Sequence, residues 1–259
     1  MKERGRVAAI LLLFVFLLSR LFFADNLPVE KFQRISSRLQ KEGFSQAEIE
    51  KVFKDSRLEV YRDILALKKK KIDYFSKAYN LFGPESIARG KNFLKENKAT
   101  LEKAEKQFGV PKEIIAAVLR LETNFGNFLG ERLLINTFYS MLALNFNSDF
   151  GEKELINLFL VSRQIKEPDV FNLKGSFMGA FGLCQFLPSS YLNFAVDGNK
   201  DGVADLFSVE DAISSIANYL RRHGWQSNDF YRKIDSLYSY NHDLMYALAV
   251  MVYAYEISF

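Results

Sequence analysis

The sequence predicts an all-α, mainly helical protein, and three observations support this fold class. Glycine and proline are scarce, with 14 and 5 residues, whereas a turn-rich β protein needs many of both. From residue 29 onward, apolar residues recur at the spacing of amphipathic helices. Hydrophobic residues make up 49% and charged residues 25% of the chain, a globular balance that excludes a disordered chain or a fibre.

The single cysteine, Cys184, excludes an intramolecular disulfide framework and a multi-cysteine metal site.

The first 24 residues are predicted to be a signal peptide or an N-terminal anchor. A basic start precedes a nearly continuous apolar run over positions 7–19, which is shorter than the about 20 residues that span a bilayer. Ala24 ends a candidate cleavage site, and cleavage and retention as an anchor both stay open. We therefore expect an exported protein, with membrane association if the segment is retained.

The charge of the chain does not indicate a nucleic-acid partner. The formal net charge is +4, and residues 1–24 contribute +3 of it, so the remainder is nearly neutral. A run of four lysines, Lys68–Lys71, is expected to be a solvated surface segment rather than a phosphate site.

Residues 25–107 are predicted to form an N-terminal helical region. Its predicted helices cover Val29–Gln40, Gln46–Asp55 and a stretch that begins at Pro84 and passes Asn97. Ser45 is a suitable N-cap, and Glu48 three residues later completes the pattern of a capping box.

The next predicted helix, Pro111–Asn124, carries a carboxyl group on its apolar face. Glu122 lies four residues after Val118, near the end of the helix, and Gly126 is placed to cap that end. Desolvation and the negative end of the helix dipole both raise the pKa of such a carboxyl, which is typical of a general acid. The alternative is that Glu122 pairs with Arg120 or Arg132 at the rim of the apolar face.

The segment Leu173–Tyr191 places small residues among aromatic ones, which allows the backbone to approach another helix or a ligand closely. Within it, Gln185 is either a structural hydrogen-bonding residue or a substrate contact. Cys184 is predicted to be a buried filler, because neither histidine of the chain lies in a motif with it.

A candidate calcium loop follows this segment. Positions one, three, five and six of the pattern are Asp197, Asn199, Asp201 and Gly202. Position twelve is Ser208 rather than glutamate, and the next carboxylates are those of Glu210 and Asp211, so the loop would be longer than the standard one. Asp211 is alternatively a capping partner of Ser208, and the whole stretch is alternatively a polar turn.

Two helices are predicted near the end of the sequence. Val209–His223 is amphipathic and stops at Gly224, whereas Asp243–Ser258 is apolar nearly all round and is expected to be buried. Tyr246, Tyr253 and Tyr255 in the last helix are candidate core residues, and their hydroxyls then need hydrogen-bond partners or an opening to solvent.

Taken together, four segments resemble the lytic murein transglycosylase B family. They read GVPKEIIAAVLRLETNFGNFLG, NLKGSFMGAFGLCQFLPSSY, AVDGNKDGVADLFSVEDAISSIANYLRRHGW and YSYNHDLMYALAV, in the order of the family, within residues 108–250. The sequence departs from the family in one place. Only fourteen residues separate Trp225 from Tyr240, so the β-containing insertion of the family is absent or reduced, which puts the preferred substrate length in doubt.

The resemblance implies a lysozyme-like catalytic core at residues 108–259, with Glu122 as its single acid/base. The residues that it implies for the sugar-binding groove are Ser176, Gln185, Tyr240, Asn241 and Tyr246. The ligands that it implies for an extended EF-hand-like loop at 197–211 are Asp197, Asn199, Asp201, the backbone of Val203 and Asp211.

The implied activity is cleavage of the β-1,4 bond between MurNAc and GlcNAc of peptidoglycan, with formation of 1,6-anhydro-MurNAc. The resemblance also implies a structural Ca²⁺ and no catalytic cofactor. It implies glycan strands as the partner, a monomer, and a location in the bacterial periplasm or cell envelope. Three alternatives stay open: a hydrolytic muramidase that uses the same Glu122, a peptidoglycan-binding protein without catalysis, and a structural calcium-binding helical protein.

Overall fold

The computed structural model describes residues 27–66 and 71–259, which form helices joined by short loops. The helices are α1 (Val29–Lys41), α2 (Gln46–Phe53), α3 (Pro84–Glu96), α4 (Lys98–Phe108), α5 (Lys112–Thr123), α6 (Leu134–Ala143), α7 (Ser148–Gln164), α8 (Pro188–Phe194), α9 (Val209–Arg222), α10 (Phe230–Asn241) and α11 (Leu244–Ile257). Short 3₁₀ helices cover Arg62–Ala66 and Val170–Asn172. The strands are β1 (Arg132–Leu133) and β2 (Lys174–Gly175). The predicted mainly helical class is confirmed.

Two predictions concern residues that the structure does not describe. The predicted signal peptide or anchor at 1–24 and most of the lysine run lie outside the described residues. Within the described part of the chain, no helix combines the length and the apolar character needed to cross a membrane.

The N-terminal helices begin and end where local chemistry dictates. The predicted capping box of α2 is confirmed: the Ser45 hydroxyl accepts the N–H of Glu48, whose carboxylate accepts the N–H of Ser45. The prediction of one helix from Pro84 past Asn97 is wrong, because the chain breaks there into α3 and α4. The Asn97 side chain donates to the carbonyl of Phe93 at 3.1 Å, beside the bond that the Asn97 backbone N–H already makes to it, and such a side-chain bond competes with regular helix geometry.

Helix α5 lies at the centre of the core. Helices α3, α4, α9 and α11 pack against it, and α6 and α7 pack closely against each other. Helix α11 is only half buried, with seven of its fourteen residues in the core. Tyr246 and Tyr253 are among them, as predicted, whereas Tyr255 is exposed, so the prediction is wrong for that residue. The buried Tyr253 hydroxyl donates to the carbonyl of Ser86 at 2.6 Å, which satisfies it inside the core. Helices α3 and α4 belong to the predicted N-terminal region, yet they pack on these core helices. The division of the chain at residue 108 therefore stays a prediction.

A short antiparallel ribbon fixes the segment that follows α7. In β1 and β2, Arg132 pairs with Gly175 and Leu133 with Lys174. Beyond β2 the chain folds back on itself, and the Ser176 N–H donates to the carbonyl of Ala180 at 2.7 Å. A Cβ on Gly175 would lie 2.1 Å from that same carbonyl oxygen, so this turn requires glycine.

Candidate active site

Glu122 lies in the last turn of α5, beside the buried apolar residues of that helix. The predicted cap at Gly126 is wrong, because the helix already ends at Asn124, which adopts a left-handed conformation with φ of 50°. Asparagine tolerates this conformation better than other non-glycine residues, and here two further left-handed residues, Phe125 and Gly126, follow it. The chain therefore turns away sharply just after Glu122 and leaves its side chain partly open.

The carboxyl of Glu122 accepts a hydrogen bond from a tyrosine and is not paired with an arginine. The Tyr246 hydroxyl, on α11, donates to Glu122 Oε1 at 2.6 Å. Arg120 instead donates to the hydroxyl of Ser86 at 2.9 Å, and Arg132 pairs with Asp63. The alternative in which Glu122 is neutralised by either arginine is therefore wrong.

Burial raises the pKa of Glu122 from 4.5 to about 7, and the hydrogen bond from Tyr246 offsets part of the rise. Desolvation is the larger cause, so within residues 27–66 and 71–259 the shift does not come from a second carboxylate. A carboxyl with this pKa is partly protonated near neutral pH, so it can donate a proton and later accept one.

Two tyrosines line the site on the side of α10 and α11. The rings of Tyr240 and Tyr246 are stacked, with centroids 6.3 Å apart and planes 14° apart. The Tyr240 hydroxyl donates to the carbonyl of Cys184 at 2.7 Å, which joins α10 to the segment that contains Gln185. Cys184 itself is fully buried and burial raises its thiol pKa, so the prediction of a buried filler is confirmed.

The other predicted groove residues occupy different settings. Gln185 has a left-handed backbone, and its side-chain nitrogen donates to the carbonyls of Leu129 (3.2 Å) and Gly182 (2.9 Å), which favours a structural role. The Ser176 hydroxyl accepts the N–H of Ala180 at 3.0 Å and is only partly buried. Asn241 is exposed at the end of α10.

Two residues of the site have no counterpart in the sequence predictions. Tyr74 is buried, and its ring packs edge-on against Tyr246 with centroids 5.9 Å apart. Tyr79 packs edge-on against Tyr74 at 5.4 Å, and the charge of Glu122 contributes to raising the pKa of both. Tyr74 also lines an open pocket of about 530 Å³ together with Asn241. The aromatic residues between positions 74 and 82 were the feature of the sequence that could have indicated this part of the site.

The candidate calcium loop has the local turns that its sequence pattern predicts. The Asp197 carboxylate accepts three backbone N–H groups of the loop, including that of Gly202 at 2.8 Å. Asn199 Oδ1 accepts the N–H of Asp201, and Asp201 Oδ1 accepts that of Val203, each at 2.9 Å. These bonds wrap the chain around its own side-chain oxygens.

Asp211 joins this loop from α9 and is fully buried. Its oxygens accept the N–H groups of Gly198 (2.8 Å), Asn199 (3.2 Å) and Asp205 (2.7 Å). The alternative of a capping interaction with Ser208 is wrong, because Ser208 makes no side-chain cap bond to α9.

The loop offers hard oxygen donors, which suit calcium, and Asp211 is aimed into it. In the described residues, however, no group of three or more His, Cys, Asp or Glu side chains is arranged so that it could hold a metal ion. The oxygens here face backbone N–H groups instead. The donor chemistry therefore fits calcium, and the site itself stays a prediction.

The chain resembles known proteins in sequence. The sequence model of the Transglycosylase SLT domain matches residues 29–234. The membrane-bound lytic murein transglycosylase B of Escherichia coli (strain K12) is 34% identical over 146 residues, which make up 56% of this chain and 40% of that protein. The chain thus spans about two fifths of the length of this curated relative. The match confirms the resemblance that the four sequence segments indicated.

Solved structures show the same fold. The E. coli lytic transglycosylase Slt35 in complex with calcium gives a TM-score of 0.81 at 23% identity, and the match covers 91% of this chain and 94% of that one. SltB3 from Pseudomonas aeruginosa in complex with NAG-anhNAM-pentapeptide gives 0.76 at 16% identity, with coverage of 88% and 78%. At these identities the structures establish the shared fold.

Proposed function

The chain belongs to the Transglycosylase SLT domain family, and from this premise we propose that it is a lytic murein transglycosylase that acts on peptidoglycan. The relatives named as lytic transglycosylases support the activity, and the SltB3 complex with NAG-anhNAM-pentapeptide supports the substrate class. The observation that carries the proposal is the Glu122 carboxyl, with its pKa raised to about 7 and a tyrosine hydroxyl 2.6 Å from it.

In the proposed reaction, Glu122 first acts as a general acid. It protonates the glycosidic oxygen between MurNAc and GlcNAc while the bond from that oxygen to C1 of MurNAc breaks. The 2-acetamido group of the substrate stabilises the positive charge that develops at C1, as in substrate-assisted glycosidases. This route needs one carboxyl group, and desolvation is what gives Glu122 its protonated fraction near neutral pH.

Glu122, now ionised, then acts as a general base. It takes the proton of the C6 hydroxyl of MurNAc, whose oxygen attacks C1 and closes a 1,6-anhydro ring. One C–O bond breaks and one forms, the proton given by Glu122 leaves on the GlcNAc hydroxyl, Glu122 regains a proton from the C6 hydroxyl, and no water is consumed. The Tyr246 hydroxyl stabilises the carboxylate between the two steps, because a hydrogen bond to a charged acceptor is stronger than one to a neutral acceptor.

We place the glycan strand along the surface beside Glu122 that Tyr240, Asn241 and Tyr246 border, with Ser176 and Gln185 continuing it along the folded-back segment. Tyr74 and Tyr79 support this surface, since Tyr74 packs edge-on against Tyr246 and Tyr79 against Tyr74. Aromatic side chains present flat apolar surfaces that suit sugar rings, and the exposed amide of Asn241 offers both a donor and an acceptor to sugar hydroxyls.

We also propose one structural calcium ion and no catalytic cofactor. The ligands are the side chains of Asp197, Asn199, Asp201 and Asp211 and the carbonyl of Val203. A bound Ca²⁺ supplies positive charge that offsets the carboxylates of the loop. The calcium complex of Slt35 supports this assignment.

The proposed site of action is the bacterial cell envelope, where peptidoglycan lies, and the protein is expected to work as a monomer. The description of the E. coli relative as membrane-bound supports an envelope location. The apolar start of the sequence is consistent with export or anchoring.

Product analysis by mass spectrometry tests the activity. Purified peptidoglycan is digested with the wild-type protein and with Glu122→Gln, which keeps the size of the side chain but cannot transfer a proton. Muropeptides with 1,6-anhydro-MurNAc ends from the wild type alone are expected. Reducing ends from the wild type would instead indicate a hydrolytic muramidase, and binding without any product would indicate a peptidoglycan-binding protein.

A further inference from the structure

The guanidinium of Arg132, on β1, is a polar group that the proposed reaction does not use. It packs against two aromatic rings, with its Cζ atom 4.0 Å from the centroid of Phe177 and 4.6 Å from that of Tyr61. Its Nη2 atom is paired with the carboxylate of Asp63. Its Nη1 atom is buried and has no hydrogen-bond partner in the described part of the chain.

A buried guanidinium nitrogen without a partner lowers the stability of the folded protein, because burial removes its water without replacing the lost hydrogen bonds. Such an atom in a native protein indicates a missing partner. Arg57 provides a comparison within the same protein. Its Cζ atom lies 4.3 Å from the centroid of the Phe171 ring, yet its nitrogens are shared between the carboxylates of Asp55 and Asp169. Stacking on an aromatic ring therefore does not by itself leave a guanidinium nitrogen unpaired.

The position of Arg132 links it to the proposed groove. Its partner across the ribbon is Gly175, which immediately precedes Ser176. The ring that covers it, Phe177, is 51% exposed at the tip of the turn after Ser176, so this ring can move without disturbing the core.

We propose that Arg132 forms an anion-binding subsite at the edge of the groove, and that it binds a carboxylate of the peptide stem carried by a MurNAc residue of the bound strand. The inference rests on the proposed function and adds a specificity-determining residue to it. Arg132 does not touch the bond that is cleaved, and its role is to hold strands that carry peptides.

The chemistry of the group favours a carboxylate over a sugar hydroxyl. Guanidinium donors form their strongest bonds with carboxylates, in a planar and often bidentate arrangement. The aromatic rings on its faces leave the donor edge as the direction from which a ligand can approach. Asp63 already occupies part of this edge, and because its side chain is 56% exposed, it is a weakly held competitor for the incoming carboxylate.

The competition between Asp63 and the stem gives two variants with opposite expected effects. Arg132→Met removes the donor and keeps an apolar side chain between the rings, whereas Asp63→Asn removes the competing charge. Each full-length variant is assayed for release of anhydro products from peptidoglycan strands with intact stems and from strands whose stems have been removed by an amidase. Arg57→Met is the matched control, because it removes another ring-stacked arginine whose side-chain partners are not among the proposed groove residues.

On strands with stems, we expect kcat/KM to fall about tenfold in Arg132→Met and to rise in Asp63→Asn, with KM carrying most of both changes. On strands without stems, both variants should match the wild type, and Arg57→Met should match it on both substrates. Equal losses on the two substrates, or a loss in Asp63→Asn as well, would make the Arg132–Asp63 pair structural and overturn the inference. Failure of the wild type to form anhydro products on either substrate would overturn the proposed function instead.

Discussion

Replacing Glu122 with glutamine is expected to stabilise the folded protein at alkaline pH while it abolishes catalysis. The carboxyl has its pKa raised from 4.5 to about 7 on folding, chiefly by desolvation. The folded state therefore disfavours the ionised form, and the difference corresponds to about 3 kcal/mol when the group is fully ionised in both states. Glutamine accepts the hydrogen bond of Tyr246 and carries no charge, so the substitution removes this penalty.

The pH dependence gives the direction of the effect. Between the two pKa values, the folded protein binds more protons at Glu122 than the unfolded chain does, so the free energy of unfolding falls as pH rises from 4.5 to about 7. Above this range the destabilisation is complete, and below it the destabilisation disappears. The gain in Glu122→Gln should therefore approach about 3 kcal/mol near pH 8 and shrink to less than about 1 kcal/mol near pH 5.

Urea unfolding followed by circular dichroism at both pH values measures this difference. Glu102→Gln is the control, since Glu102 is exposed on α4 and its substitution should change stability by less than about 0.5 kcal/mol at either pH. A stability change in Glu122→Gln that is the same at both pH values, or a destabilisation near pH 8, would refute the argument that burial sets the pKa of this carboxyl.

Three further outcomes are expected. Tyr246→Phe removes a bond that favours ionised Glu122, so the alkaline limb of the pH profile of kcat should move to higher pH; an unmoved limb would mean that the bond is not made during turnover. Asp211→Asn should lower the Tm and abolish any rise in Tm that CaCl2 gives the wild type over EDTA, as followed by calorimetry, whereas equal calcium responses would remove Asp211 from the ligand set. Gly175→Ala places a Cβ 2.1 Å from the carbonyl oxygen of Ala180, so it should cost more than about 2 kcal/mol in urea unfolding, and a neutral effect would show that the turn relaxes easily.

Features that depend on neighbours along the chain were predictable from the sequence. The capping box of Ser45 and Glu48 involves residues three apart, and it forms as predicted. The position of Glu122 on the apolar face of α5 followed from helical periodicity alone. The cap of the same helix was less certain, because Asn124 and Gly126 both tolerate a left-handed backbone and the first of them ended the helix.

Features that depend on contacts across the chain were not predictable in this way. Tyr74 and Tyr79 precede Glu122 by more than forty residues, and nothing in their local pattern indicates that the chain returns them to this carboxyl. Asp211 has a capping pattern relative to Ser208, yet the loop before it supplies backbone N–H groups that compete for its carboxylate. In each case a contact between residues distant in sequence decides the position of the side chain, and the pattern of its sequence neighbours does not reveal that contact.

Digestion of peptidoglycan in water labelled with heavy oxygen tests the central claim most directly. If Glu122 takes the proton of the C6 hydroxyl of MurNAc and the C6 oxygen attacks C1, the new ends are anhydro rings that contain no oxygen from solvent, and their mass spectra are the same in labelled and ordinary water. Incorporation of one heavy oxygen atom at each new MurNAc end would show that water attacks C1, and it would contradict the transglycosylase reaction while leaving Glu122 as the acid of a hydrolase.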